Sequence, residues 1–312
     1  MRVATNAFTE NFLNQVGTLR AQQDRLQQQT GSGLKLSLPE DNPGAMASVL
    51  NLQAQASANT QYQTNISNLQ SQATTTYDAL NSLKTITNRL GEIATLADGT
   101  KGPSELATYA TEVDQLLQQA LALGNTKDSS GNYIFGGTDS GTAPYVATTD
   151  ASGNITGVTY QGNTSVASAE IGPGVTVSSQ IPGGNTTGSG TRGLFTDTRY
   201  GADLFNHIIT LGQNLKSGNT AAISSTDAPA ISKDEDNLLY QVTANGLLQT
   251  RLEAAGNLAT QTGQTITSQV SNLTDADMAQ TLTQFSQAQT AYQAALQSGV
   301  SIMNLSILNF LK

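Results

Sequence analysis

The sequence is 312 residues long and contains no cysteine. The fold therefore uses neither disulfides nor thiolate metal ligands, and either redox compartment would tolerate it. Tryptophan is absent, only 12% of residues are charged and only 37% are hydrophobic, against a usual apolar share of ~45–50%. The interior must then be built from thin apolar seams, which suits long helices better than one globule. The 14 basic residues form no cluster and face 23 acidic ones, for a net charge of −9. Phosphate binding needs a positive footprint, so nucleic acid and anionic membrane are poor partners. No run approaches the ~18 uninterrupted apolar residues of a transmembrane helix. The opening MRVATNAFTENFL lacks the basic, apolar and small-residue regions of a secretory leader, so no cleavable export signal is expected.

What the sequence does have is periodicity. Apolar residues at alternating steps of four and three form the seam of helices that pack side by side. Phe12, Val16, Leu19 and Leu26 fall on one such register, with Gln23 and Thr30 as polar entries. From Tyr62 a stronger register runs through Ile66, Leu69, Ala73, Thr76, Leu80, Leu83, Thr87, Leu90, Ala94 and Ala97. At the far end Met278, Leu282, Phe285, Gln289, Tyr292, Leu296, Gly299, Met303, Ser306 and Phe310 keep the same rhythm. The chain thus begins and ends in coiled-coil-like helix. Shorter helical patterns cover 106–123, 202–215 and about 234–270, the last weakened by Gly246, Gly256 and Gly263, each costing ~1 kcal/mol against Ala.

Between 133 and 194 the period shortens to β-type runs, YIF, ITGVTY, SVASAEI and VTVSSQI, separated by Gly, Asn, Asp and Pro. The stretch GGNTTGSG before Arg192 reads as a flexible connector. The expected fold is mainly α: an elongated, coiled-coil-like helical rod formed by the N- and C-terminal segments, with a small β-rich inserted domain. Its parts are terminal helices at 1–40 and 275–312, a rod at 41–132 and 195–274, and the insert at 133–194.

Catalytic signals are missing. A Ser/His/Asp relay needs an imidazole, and the single histidine, His207, lies in the helical stretch DLFNHIITL, where a structural role is the better reading. FGGT and IGPG lack the lysine and spacing of a phosphate loop and read as turns. Asp150, Ser152 and Asn154 open like a calcium loop, but Ile155 stands where glycine is needed and Gln161 where glutamate is needed, so a hairpin turn explains them better. Asp234, Glu235 and Asp236 read as acidic residues near a helix N-terminus, complementing its dipole. No enzyme activity, metal or cofactor is expected.

The segment TGSGLKLSLPEDNPGAMASVLNLQAQ (30–55) resembles the signature that follows the first helix in the flagellin family. Pro39 and Pro43 make it look more like the members that stand between hook and filament. GNYIFGGTDSGTAPY (131–145), VTYQGNTSVASAEIGPGVTV (158–177), DLFNHIITLGQNLKSGN and the ending QTAYQAALQSGVSIMNLSILNFLK resemble, in order, that group's entry to the insert, strand pair, return helix and C-terminal helix. The resemblance implies a structural subunit of the bacterial flagellum, exported unfolded through the flagellar type III channel and located at the hook–filament junction. The partners it implies are further copies in a ring, hook-associated protein 1, flagellin and a flagellar export chaperone. The residues it implies for assembly, all on the terminal helices, are Phe12, Val16, Leu19, Leu26, Leu282, Phe285, Tyr292, Leu296, Met303, Ile307, Leu308 and Phe310. Two alternatives remain at this point: the filament flagellin itself, and a secreted adhesin or hydrolase carried on a helical stalk.

Overall fold

A computed structural model describes residues 2–310, with the side chains of residues 10–301. The chain is mainly α, with long helices at both ends and a small β-containing insert. In order, α1 (Arg2–Ser32), α2 (Pro43–Leu96) and α3 (Pro103–Gly124) precede seven short strands. These are β1 (Tyr145–Thr149), β2 (Ile155–Tyr160), β3 (Ala169–Gly172), β4 (Val175–Val177), β5 (Gly184–Asn185), β6 (Thr196–Asp197) and β7 (Ala202–Asp203). Then come α4 (Leu204–Ser217), a short α5 (Thr220–Ala222), a π-helical turn (Ile223–Asp227), α6 (Ala228–Thr274) and α7 (Met278–Phe310). Two compact units result, residues 1–58 with 262–312, and residues 59–261.

The larger unit holds the apolar core. The α2 register from Ile66 to Ala97 is buried at every position, including Thr76 and Thr87, which are 2% and 0% exposed. Thr87 avoids a stranded hydroxyl by donating to the carbonyl of Lys84 at 3.1 Å. Leu80, Leu83, Leu90 and Ile93 of α2 meet Leu106, Val113 and Leu117 of α3, Ile208, Leu211 and Leu215 of α4, and Ile231 and Leu238 of α6. At ~1.5–3 kcal/mol for each large side chain removed from water, this cluster carries most of the unit's stability. A second cluster joins Ile66, Leu69 and Ala73 of α2 to Leu252 and Ala259 of α6, with Ile171 and Val177 of the β3–β4 hairpin laid across them. Gly256 belongs to this contact, since a Cβ there would sit 3.6 Å from Ile66. Close approach to α2 accounts for Gly256, whereas a Cβ at Gly246 would meet nothing within 4 Å.

The β segments form three small sheets. β1 and β2 pair antiparallel, β3 and β4 pair antiparallel, and β6 lies between a parallel β5 and an antiparallel β7. ITGVTY is β2 from end to end, whereas YIF is not a strand: Tyr133 makes a single bridge to Lys127, and Ile134 and Phe135 turn into the core. Phe135, Tyr145, Phe195 and Phe205 stack or meet edge-on at centroid distances of 4.8–5.7 Å, so the apolar run serves packing and not pairing. GGNTTGSG is not a free connector either. Gly183, Gly184 and Asn185 are buried, and the Asn185 amide donates to the carbonyls of Ser189 and Thr191, both at 2.7 Å, pinning the loop.

In the smaller unit α1 runs beside α7. Gly33, at φ 74°, ends α1, and the following residues pair with the α6–α7 turn: Lys35 N donates to Thr274 O at 2.7 Å, and Ala276 N donates to Gly33 O at 2.8 Å. The segment then re-enters helix by local rules. Asp41 accepts from the amides of Ser37 and Leu38, Asn42 caps α2 by accepting from Ala45 N at 3.0 Å, and Pro43 occupies the first helical turn, where a missing N–H costs nothing.

Candidate assembly surface

Phe12, Val16, Leu19 and Gln23 of α1 are half-buried and Leu26 is buried, so the α1 seam follows the register expected from sequence. The α7 seam does not. Its buried or half-buried positions are Thr281, Phe285, Ala288, Tyr292, Ala295 and Gly299. Phe285, Tyr292 and Gly299 belong to the expected register, but Leu282 and Leu296 are 48% and 41% exposed, and their places are taken by the preceding Thr281 and Ala295. Small residues let α1 approach more closely than leucines would. Gly299 shows how closely: any Cβ there would overlap the ring of Phe12.

The displaced leucines have company. Met278, Leu282, Leu296 and Val300 are all exposed, and at 100° per residue they fall within an arc of about 40° on α7. Leu13 of α1 and Leu50 of α2 are also exposed, at 61% and 59%. This apolar stripe, interrupted midway by the exposed Gln289, makes no contact that buries it within the chain, and exposed apolar groups gathered on one face mark contact sites. Met303, Ile307, Leu308 and Phe310 lie outside the described side chains.

The polar groups singled out in the sequence are structural fittings. Asp150 accepts from the amides of Ser152 and Asn154 at 2.8 and 2.9 Å and closes the β1–β2 hairpin, with Gly153 at φ 85°. The FGGT turn is held by Asn163, whose side-chain oxygen accepts from Thr138 N at 3.2 Å. The acidic cluster at 234–236 is not at a helix N-terminus, because α6 begins earlier, at Ala228. Asp234 is instead buried at 4% exposure and receives His207 Nδ1 at 2.7 Å and the amide of Asp203 at 2.8 Å. Burial opposes charge on the His207 imidazole, but the Asp234 carboxylate outweighs it, with Asp203 adding to the pull and Lys233 opposing it, so the group is held above its ordinary value. Among the described residues no hydroxyl hydrogen-bonds this imidazole, and no group of three or more His, Cys, Asp or Glu could hold a metal. Nor is any described helix long and apolar enough to cross a membrane.

The seam-forming ends are also where the chain matches known proteins. The bacterial flagellin N-terminal helical region matches residues 3–140 and the bacterial flagellin C-terminal helical region matches residues 235–311, over half of the chain between them. The chain belongs to the flagellin family. Within that family, flagellar hook-associated protein 3 of Escherichia coli K12 is 23% identical over 325 residues, covering 100% of both chains. The protein of the same name from Salmonella typhimurium is 23% identical, with 98% of each chain covered. Among solved structures, a protein from Vibrio parahaemolyticus described as flagellar hook-associated matches with a TM-score of 0.64 at 23% identity, over 75% of this chain and 100% of its own. Xanthomonas campestris FlgL matches at 0.56 and 17% identity, over 69% of this chain and 98% of its own. These structures share the fold; the matched family regions contain both seam helices and the turn between α1 and α2.

Proposed function

We propose that this flagellin-family chain is a structural subunit at the hook–filament junction of the bacterial flagellum, coupling hook-associated protein 1 on one side to flagellin on the other. The observation that carries this reading is the pairing of α1 with α7 beside an uncovered apolar stripe, in a chain whose full-length relatives are hook-associated proteins. A subunit that ends in two helices held by small-residue contacts can hand its large apolar side chains, Leu13, Leu282, Leu296 and Val300, to neighbouring subunits. Each such side chain, buried between copies, supplies ~1.5–3 kcal/mol, and repetition around a ring makes the joint firm without chemistry. The role is mechanical, export is by the flagellar secretion route with an export chaperone, and no reaction is catalysed.

Deleting the gene tests the reading. Cells should retain hooks, shed flagellin monomers into the medium and lose swimming, and the gene supplied in trans should restore filaments. Normal filaments on the deletion strain would sink the proposal and favour a redundant filament subunit.

A further inference from the structure

The larger unit contains a cavity of about 190 Å³ whose lining runs from Ser178 and Gln180 past Arg192 to Tyr240, Asn245 and Leu248. None of the residues that line it is Asp or Glu, in a chain of net charge −9. Its donors are in surplus. Asn245 is 2% exposed, its carbonyl oxygen accepts from Gln249 at 2.9 Å, and its buried Nδ2 has no hydrogen-bond partner. A buried N–H without an acceptor is destabilising, and a ligand acceptor would relieve that. The Gln180 carbonyl oxygen accepts from Ala167 N at 2.7 Å, leaving its amide to donate.

Arg192 is set up with more care than packing requires. Its guanidinium carbon lies 3.6 Å from the ring centroid of Tyr200 and 4.3 Å from that of Tyr240, so the plane is held between two aromatic faces. Nε donates to the side chain of Asn237, which is fully buried and fixed by its own bonds to the carbonyls of Gly193 and Leu194. Among the described residues no carboxylate pairs with Arg192, and nothing accepts from its two terminal nitrogens. Those two parallel donors are the geometry that grips a carboxylate bidentately.

We propose that this cavity binds a small carboxylate carried on a six-membered ring, of the hexuronic acid class. The cavity is somewhat larger than the ~150 Å³ that holds a benzene ring in an engineered protein cavity, which leaves room for a ring and its acid group. Arg192 takes the carboxylate, Asn245 and Gln180 donate to ring or hydroxyl oxygens, and Ile181 and Leu248 offer an apolar wall to the C–H face. The site is independent of the junction role, since its residues all lie within the unit spanning 59–261.

The test is titration of the full chain by ligand-observed NMR and calorimetry with glucuronate, glucose and acetate. Glucuronate should bind with Kd on the order of 1 mM or tighter, and glucose and acetate at least about tenfold more weakly, a difference of about 1.4 kcal/mol. Arg192→Gln should weaken glucuronate by about tenfold or more. Gln180→Glu keeps the acceptor for Ala167 N while adding a like charge at a partly exposed position, so it should abolish binding without unfolding, even if Arg192→Gln fails to fold. No glucuronate binding at tens of millimolar, equal binding of glucose or acetate, or an unchanged affinity in Gln180→Glu would each overturn the proposal.

Discussion

At the scale of single residues, the larger unit holds a buried carboxylate by converging several donors on it. Asp197 has a fully buried side chain that accepts from the amides of Gly193 and Arg199, both at 3.0 Å, and from the Arg199 guanidinium at 2.7 Å. Burial pushes its carboxyl up, yet Arg199 and the backbone amides prevail and hold it below its ordinary value. Nothing in the sequence TDTR announces this; it reads as a turn, and the burial comes from β6 being enclosed between β5 and β7. A structural role for His207 is the better reading of the sequence, but its partner is not legible there, because Asp234 lies 27 positions away and reads as one of three acids near a helix N-terminus. The pair predicts a pH dependence. The imidazole is held above its ordinary value of 6.5, so its stabilising contribution is complete below that value and is lost as pH rises through the higher folded value. The melting temperature of the larger unit should therefore fall as pH rises above the ordinary imidazole value of 6.5, and His207→Gln should flatten that slope. An identical slope in the variant would show that other groups govern it.

At the scale of elements, the helices and their seams were largely legible, and the failures share one cause. Periodicity identifies which turn of a helix is buried, but it weighs leucine above alanine, so on α7 it selected Leu282 and Leu296 over Thr281 and Ala295. The choice between two adjacent stripes is made by the partner: α1 brings the large Phe12, Val16, Leu19 and Leu26, and such knobs need small residues opposite. Likewise YIF has β-type composition, but its apolar side chains are claimed by the aromatic core before any strand can pair. Gly299→Ala tests the close approach of α1 and α7. Alanine gains up to ~1 kcal/mol of helix propensity, while the methyl forces the half-buried Phe12 ring aside at a cost of similar size. Global melting should hardly change, but amide exchange at residues 10–20 should accelerate. Exchange as slow as in the unaltered chain would contradict the packing of Phe12 on Gly299.

At the scale of the whole molecule, stability is distributed unevenly between the two units. The unit spanning 59–261 contains both apolar clusters, whereas the unit formed by 1–58 and 262–312 has few buried apolar side chains, among them Leu26, Leu36, Val49, Ile266 and Ala288. Ordering a residue costs ~1–2 kcal/mol, and a full-sized buried side chain returns only ~1.5–3 kcal/mol, so a two-helix seam with about one buried position per turn is close to balance. Helices in that state open readily. Limited proteolysis of the isolated chain should therefore trim roughly the first and last forty residues while the 62–97 segment of α2 persists. Cleavage within 62–97 as fast as at the ends would show that stability is spread evenly and that the ends are finished by the fold alone. The same digest run on assembled flagella separates the two sources of order. If neighbouring subunits cover the stripe at Met278, Leu282, Leu296 and Val300, the ends should become resistant there, because the missing burial comes from outside the chain.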